Sequence, residues 1–251
     1  MTVFEIISLV LSSIALIVSV LPQIKKWVTK ANVKFYPVGL LTLLFNQSGS
    51  YVQLNGVIEA EKKAVSIRKM SVEIKRQKDN QTLNLTWSYL ISPVNQRLVG
   101  NIIQTTELAH PFRVYGDSIT TAFIEYTDPF DSFGKTFRNS TSDLYNKANL
   151  KPLFENNYSE AVKSFSADDS FITVKQLLSD EFFWKVGKYS IVVTIEYNNS
   201  KRAYSYEFSV SESDYNDLIK NIEESLLVPL KTNYQINPFF NQAHVELIEI
   251  E

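Results

Sequence analysis

The sequence predicts a mainly β body carried behind one N-terminal membrane-spanning helix, and three observations point there. Residues 6–21 form an apolar block interrupted only by Ser8, Ser12, Ser13 and Ser19. Apolar and polar residues alternate through much of 38–126 and again through 187–210, as half-buried strands require. Over 127–186 the alternation stops, so a partly helical insertion is expected between the two strand-forming regions.

The apolar run from about residue 3 to 24 reaches the ~20 residues that cross a bilayer. Serine hydroxyls can bond back to the helix's own carbonyls, so each polar group is satisfied within the segment. A cleaved secretory signal needs a basic start and a small-x-small cleavage site. Here Met-Thr-Val-Phe-Glu opens the chain and Leu21-Pro22-Gln23 closes the run. A buried core helix would be shorter and carry a polar face. Lys25, Lys26, Lys30 and Lys34 crowd the C-terminal flank while Glu5 stands on the other. The positive-inside bias then puts the N-terminus outside and the body in the cytoplasm. Trp27 suits the headgroup belt, so Lys25, Lys26, Trp27, Lys30 and Lys34 are read as membrane-interface positions. Glu5, Ser8, Ser12, Ala15 and Ser19 recur at spacings of 3, 4, 3 and 4, one heptad seam. Small residues in such a seam let helices approach closely in lipid, and homo-oligomerisation through it is one expectation.

In the body, strands are expected at 38–46, 51–60, 65–76, 82–91, 112–115 and 119–126, with polar turns at 46–50 and 78–81. A hairpin follows at 187–197 and 202–210. Ser211, with Asp214 three residues on, caps a helix that presents Tyr215, Leu218, Ile219, Ile222 and Leu226 on one face. Pro229 is expected to stop it, giving a helix over 211–227, and the tail at 243–250 is expected to add a last strand. The chain divides into a helix and Lys-rich link at 1–34 and a body at 35–251. The insertion at 127–186 holds eleven aromatics in sixty positions, a density that serves mainly to pack it onto the sheet.

The strand Gly187-Lys188-Tyr189-Ser190-Ile191-Val192-Val193-Thr194-Ile195-Glu196-Tyr197 and its alternating partner resemble the penultimate and last strands of immunoglobulin-like or fibronectin-like sandwiches. The resemblance implies an immunoglobulin-like β-sandwich with a partly helical insertion and a C-terminal helix. It also implies that Tyr189 ties down a chain corner by hydrogen bonding, as the tyrosine at that place does in those domains. It covers about a tenth of the chain, lacks the antibody-type cysteine pair and implies no partner.

The absence of cysteine from the 251 residues removes disulfides, thiolate zinc sites and thiol nucleophiles. A net charge of -2 argues against a nucleic-acid partner. Seven glycines supply no phosphate-cradling loop, dinucleotide fingerprint or nucleophile elbow. His110 and His244 lack a His-x3-His spacing. Asp128, Asp131 and Asp143 lack the calcium-loop pattern and read as turn residues, so no metal, cofactor or catalytic residue is expected. A basic run of Lys62, Lys63, Arg68, Lys69, Lys75, Arg76 and Lys78 is interleaved with Glu59, Glu61, Glu73 and Asp79. It suggests anionic lipid or nucleic acid, but a solvated sheet face is the plainer reading.

The functional expectation is a non-enzymatic, single-pass membrane-anchored binding or scaffold module that presents a sandwich to a protein partner at the cytoplasmic surface. One alternative is an oligomeric membrane-perturbing effector of the bacterial stress or phage-defence type. Another is an envelope-associated hydrolase with a carboxylate site, which requires a concave pocket holding two carboxylates or one carboxylate and His110.

Overall fold

The computed structural model describes residues 2–98, 101–150 and 157–250, without side chains at 5–7, 9, 23, 25–28, 92–98, 101–105 and 148–150. It opens with helix α1 (Val3–Val28), then strands β1 (Asn32–Pro37), β2 (Leu41–Asn46), β3 (Gly49–Glu61), β4 (Val65–Arg76), β5 (Thr82–Leu98), β6 (Asn101–Leu108), β7 (Phe112–Val114) and β8 (Ser118–Thr127). Helices α2 (Ser132–Leu150), α3 (Tyr158–Ser166) and α4 (Asp169–Glu181) form the insertion. Strands β9 (Gly187–Tyr197) and β10 (Ser200–Val210), helix α5 (Glu212–Asn233) and strands β11 (Ala243–Val245) and β12 (Ile248–Glu249) complete the body.

The mainly β expectation holds, but the two separate sheets of a sandwich do not form. Among the described residues all twelve strands belong to one antiparallel sheet, in the order β11-β2-β3-β8-β5-β4-β9-β10-β12. Strands β1, β6 and β7 pair with β3, β5 and β4 respectively. The reason lies in β5: Thr82 to Thr86 pair with β4, and Thr86 to Leu90 pair with β8. One long strand therefore hydrogen-bonds to both layers and makes them one curled sheet. Alternation points Val52, Leu54 and Ile58 of β3, Val72 and Ile74 of β4, and Tyr189, Ile191 and Val193 of β9 into the shared core.

The curl brings the sheet's two ends together. Tyr204 of β10 donates its hydroxyl to the Val33 carbonyl of β1, and its ring lies 6.0 Å from Phe35. The chain's tail spans the remaining gap, with β11 on β2 and β12 on β10 and two residues between them. Two edges that would otherwise present unpaired backbone groups are thus covered by one segment.

Other elements depart from the sequence expectation for local reasons. Strand β1 falls where a Lys-rich link is expected, so the folded body begins at Asn32. Lys34 is a strand residue whose ammonium pairs with Glu61. Strand β2 starts at Leu41, because Gly39 turns the chain with φ +75. Strand β5 continues beyond Ile91 to Leu98 and makes a ribbon with the unanticipated β6. Pro93 falls in the irregular stretch of that pairing, where a missing N–H is tolerated. Within the insertion, α2 begins early, at Ser132, and residues 151–156 between α2 and α3 lie outside the described residues.

Helix α5 starts as expected: Ser211 and Asp214 form a reciprocal capping box. It does not stop at Pro229. Proline cannot donate to the carbonyl four residues back, which here is that of Ser225. That oxygen accepts instead from Gln47 Nε2 at 3.1 Å and Tyr145 Oη at 2.9 Å. With its lost partner replaced by groups from the β2–β3 turn and α2, the helix continues to Asn233. Fully buried Asn221 fastens the same helix to the sheet through the Phe45 carbonyl and to the tail through both backbone groups of Asn241.

The insertion packs on the sheet through its aromatics, as expected. Phe137, Phe165, Phe171, Phe182, Phe183 and Trp184 are all buried, whereas Phe130 is exposed. At the start of α4, Asp168 accepts from Ser170 N–H and from Lys147 of α2. The Ser170 and Lys147 donors lower its carboxyl from 3.8 to about 2. A folded-state value depressed below the unfolded one contributes stability above pH 3.8 and loses it as pH falls towards 2. Asp168→Asn is therefore expected to shrink the loss of stability across that window while leaving the fold intact. Parallel acid titrations of both proteins by circular dichroism check this; identical acid limbs would refute it.

Candidate functional site

The apolar N-terminal run is helical throughout, as α1. At 1.5 Å per residue its 26 residues extend about 39 Å. Every described side chain from Val3 to Ile24 is exposed, with Leu11, Ile14, Leu16, Ile17 and Val18 apolar all round the helix. Among the described residues no helix is long and apolar enough to cross a membrane. The helix of the expectation is therefore present and its span is not shown. Along the seam, Ser12 donates to the Ser8 carbonyl at 2.7 Å and Ser19 to the Leu16 carbonyl at 2.8 Å. These hydroxyls are spent within the helix, leaving a small-residue face with Ala15 between them. The side chains of Glu5, Lys25, Lys26 and Trp27 lie outside the described residues. Lys30 is exposed, and Lys34 is held by Glu61, whose carboxylate raises the Lys34 ammonium above its ordinary value.

Two of the clefts in the body gather the candidate titratable groups. One, about 530 Å³, opens where β5 parts from β8 beyond Leu90 and is lined by Glu107, His110, Arg113 and Thr120 over Ile91, Phe112 and Ala122. It brings together one carboxylate and His110, the pairing that a hydrolytic reading requires. His110 is exposed and its Nδ1 lies 3.2 Å from the Leu108 carbonyl, so one ring nitrogen serves its own loop.

The second cleft, about 370 Å³, lies at the opposite end of β8 and gathers Tyr51, Tyr89, Glu125, Asp128 and Asp131. Its carboxylates are committed to structure. Glu125 accepts from Gln53, Asp131 pairs with Arg138, and Asp128 accepts the N–H groups of Phe130 and Ser132 where α2 begins. Burial pushes the Asp128 carboxyl up, and those N–H donors outweigh it, holding the group ionised below its ordinary value. Burial and the Glu125 charge push the Tyr51 phenol up to about 12, so it remains a neutral donor. Asp143 stands apart on the exposed side of α2. No group of three or more metal-ligating side chains occurs among the described residues.

The basic run does not stay together. Arg76 is 4% exposed and binds Asp79 in bidentate fashion, with further bonds to Gln81 and the Phe183 carbonyl. It is a strut between the β4–β5 turn and the end of the insertion. Tyr189 meets the same segment, its hydroxyl accepting from Lys185 N–H at 2.7 Å and donating to the Lys185 carbonyl at 2.7 Å. The phenol thus ties down the bend before its own strand. Lys62, Lys63 and Arg68 lie at the other end of β4 from Lys75, Arg76 and Lys78.

No protein-family model matches the chain, and no curated protein does. Among solved structures, a family 123 glycoside hydrolase from Clostridium perfringens, studied for glycolipid glycan hydrolysis, aligns at 9% identity with a TM-score of 0.30. The alignment covers 71% of this chain and 26% of the hydrolase chain. A superposition at that score carries no argument about fold, substrate or activity.

Proposed function

We propose that this is a non-enzymatic, single-pass membrane-anchored module whose curled sheet binds or positions a protein partner at the cytoplasmic surface. The observation that carries the reading is α1: a 26-residue helix with a single charge, Glu5, before Lys25, and no buried side chain among those described. In water its apolar surface has nothing to cover it, and a bilayer would. The flanking lysines favour retention of the body inside. Anchoring confines the body to the membrane plane, which raises its effective concentration toward other membrane components without any new contact. The cleft at Tyr51 favours recognition over catalysis, because its carboxylates are engaged in turns and ion pairs. Small residues along the seam also offer α1 a face for a second copy, which the particle size of the full-length protein in detergent would show.

Protease digestion of spheroplasts, before and after membrane disruption, tests the reading. The body is expected to survive outside attack, to be digested after disruption, and to stay with membranes through alkaline extraction. Digestion of the body from outside, or its release by alkali, would overturn the proposal.

A further inference from the structure

The link from α1 to the sheet is short. Residues 29–31 separate Val28 from the start of β1 and reach at most about 10 Å. Asn32 pairs in register with Glu61, so the sheet end nearest the helix is the one holding the β3–β4, β7–β8 and β9–β10 turns. Those turns are fastened to one another. The Lys62 N–H donates to Asp117 Oδ1 at 2.9 Å, and the Asp117 N–H to the Ala60 carbonyl at 2.7 Å. Asn198 and Ser66 exchange bonds of 3.0 and 3.1 Å, and Arg202 binds Asn32. A Cβ at Gly116 would lie 3.0 Å from the Lys63 carbonyl carbon, so one turn rests directly on the next.

This arrangement collects Lys62, Lys63, Arg68, Arg113, Lys201 and Arg202 at one end, although the chain separates them widely. Of the carboxylates there, Glu61 is held by Lys34 and Asn32, Asp117 accepts a backbone N–H and Glu59 accepts from Tyr36, while Glu196 stands in register between Lys69 and Lys201. Tyr115 and Ile119 stand beside the turns, each 69% exposed, with the Arg113 guanidinium 5.7 Å from the Tyr115 ring. Cations around an exposed aromatic and an exposed aliphatic side chain match the headgroup layer of an anionic leaflet, where phosphates meet the edge of the hydrocarbon.

We propose that this end of the sheet docks on anionic lipid headgroups of the bilayer that holds α1, laying the body down on the membrane; the inference rests on the anchored reading above. Because the chain has no cysteine, Tyr115→Cys and Lys78→Cys each provide one site for an environment-sensitive fluorophore, at opposite ends of the sheet. Full-length protein is reconstituted in phosphatidylcholine vesicles with or without phosphatidylglycerol.

The label at position 115 is expected to shift to the blue and to be quenched by a lipid-confined quencher only in anionic vesicles, reverting at high salt. The label at 78 is expected to stay unchanged throughout. Reversing Lys62, Arg68 and Lys201 to Glu should cut the docked fraction roughly tenfold or more at an unchanged melting temperature. A 115 label that behaves like the 78 label in anionic vesicles, or undiminished docking by the reversed variant, overturns the inference while leaving the anchor standing. Protein that fails to float with neutral vesicles at high salt removes the anchor, and this inference with it.

Discussion

Trp184→Ala is expected to lower the unfolding free energy by about 4 kcal/mol, the usual cost of emptying a large aromatic site in a core. Trp184 is 0% exposed and donates its indole N–H to the Leu44 carbonyl at 2.9 Å. Its ring also meets Phe183, Tyr189 and Phe208. The side chain therefore joins the end of the insertion to β2, β9 and β10 at one point, and its loss leaves both a void and an orphaned carbonyl. For a chain of this size about 4 kcal/mol corresponds to a fall in Tm of roughly 8–16 °C. Trp184→Phe keeps most of the packing and loses the N–H, so about half that shift is expected. Thermal unfolding of the full-length protein in detergent, followed by circular dichroism, checks both. A Trp184→Ala protein that melts within a degree or two of the parent would show that the insertion is not braced at this residue.

On the anchored proposal, replacing Leu11, Ile14 and Val18 together by Lys is expected to abolish membrane retention. Each lysine near the centre of a spanning helix costs about 3 kcal/mol relative to the apolar residue it replaces, so three cost about 9 kcal/mol. That exceeds what one moderately apolar segment can offset. All three side chains are exposed in α1 and none belongs to the core of the body, so the circular dichroism of the strands should not change. The variant is expected in the soluble fraction, folded. Retention equal to that of the parent would mean that the body, and not the helix, holds the protein to the membrane.

Much of the body can be read from local signals. Strand β4 begins and ends where alternation says it does, at Val65 and Arg76, and the Ser211–Asp214 capping box starts α5 where expected. These features rest on interactions within a few residues. The misses have the opposite origin. Pro229 is an ordinary helix stop until Gln47 and Tyr145 arrive from distant segments to satisfy the Ser225 carbonyl. Lys34 reads as one more flanking lysine, because nothing local announces Glu61 across a strand pair. Arg76 reads as part of a solvated basic run, yet tertiary packing buries it against Phe183. Of the candidate sites, the cleft of Glu107 and His110 draws on four strands. Only Glu107, His110, Phe112 and Arg113 stand close enough in sequence to have suggested it.

The amino-acid pattern alone determined that the chain is mainly β, that an apolar helix leads it, and that the insertion is aromatic and inward-packed. Each of those follows from periodicity and side-chain hydrophobicity, which act along a few turns of chain. Tertiary structure alone decided that two layers become a single sheet, because a strand's choice of hydrogen-bonding partner depends on which edges are free. It also decided which charges share a surface. Lys62 and Lys201 share one end of the sheet because antiparallel pairing of β4 with β9 and of β9 with β10 returns the β3–β4 and β9–β10 turns to it, and charge carries no information about that register.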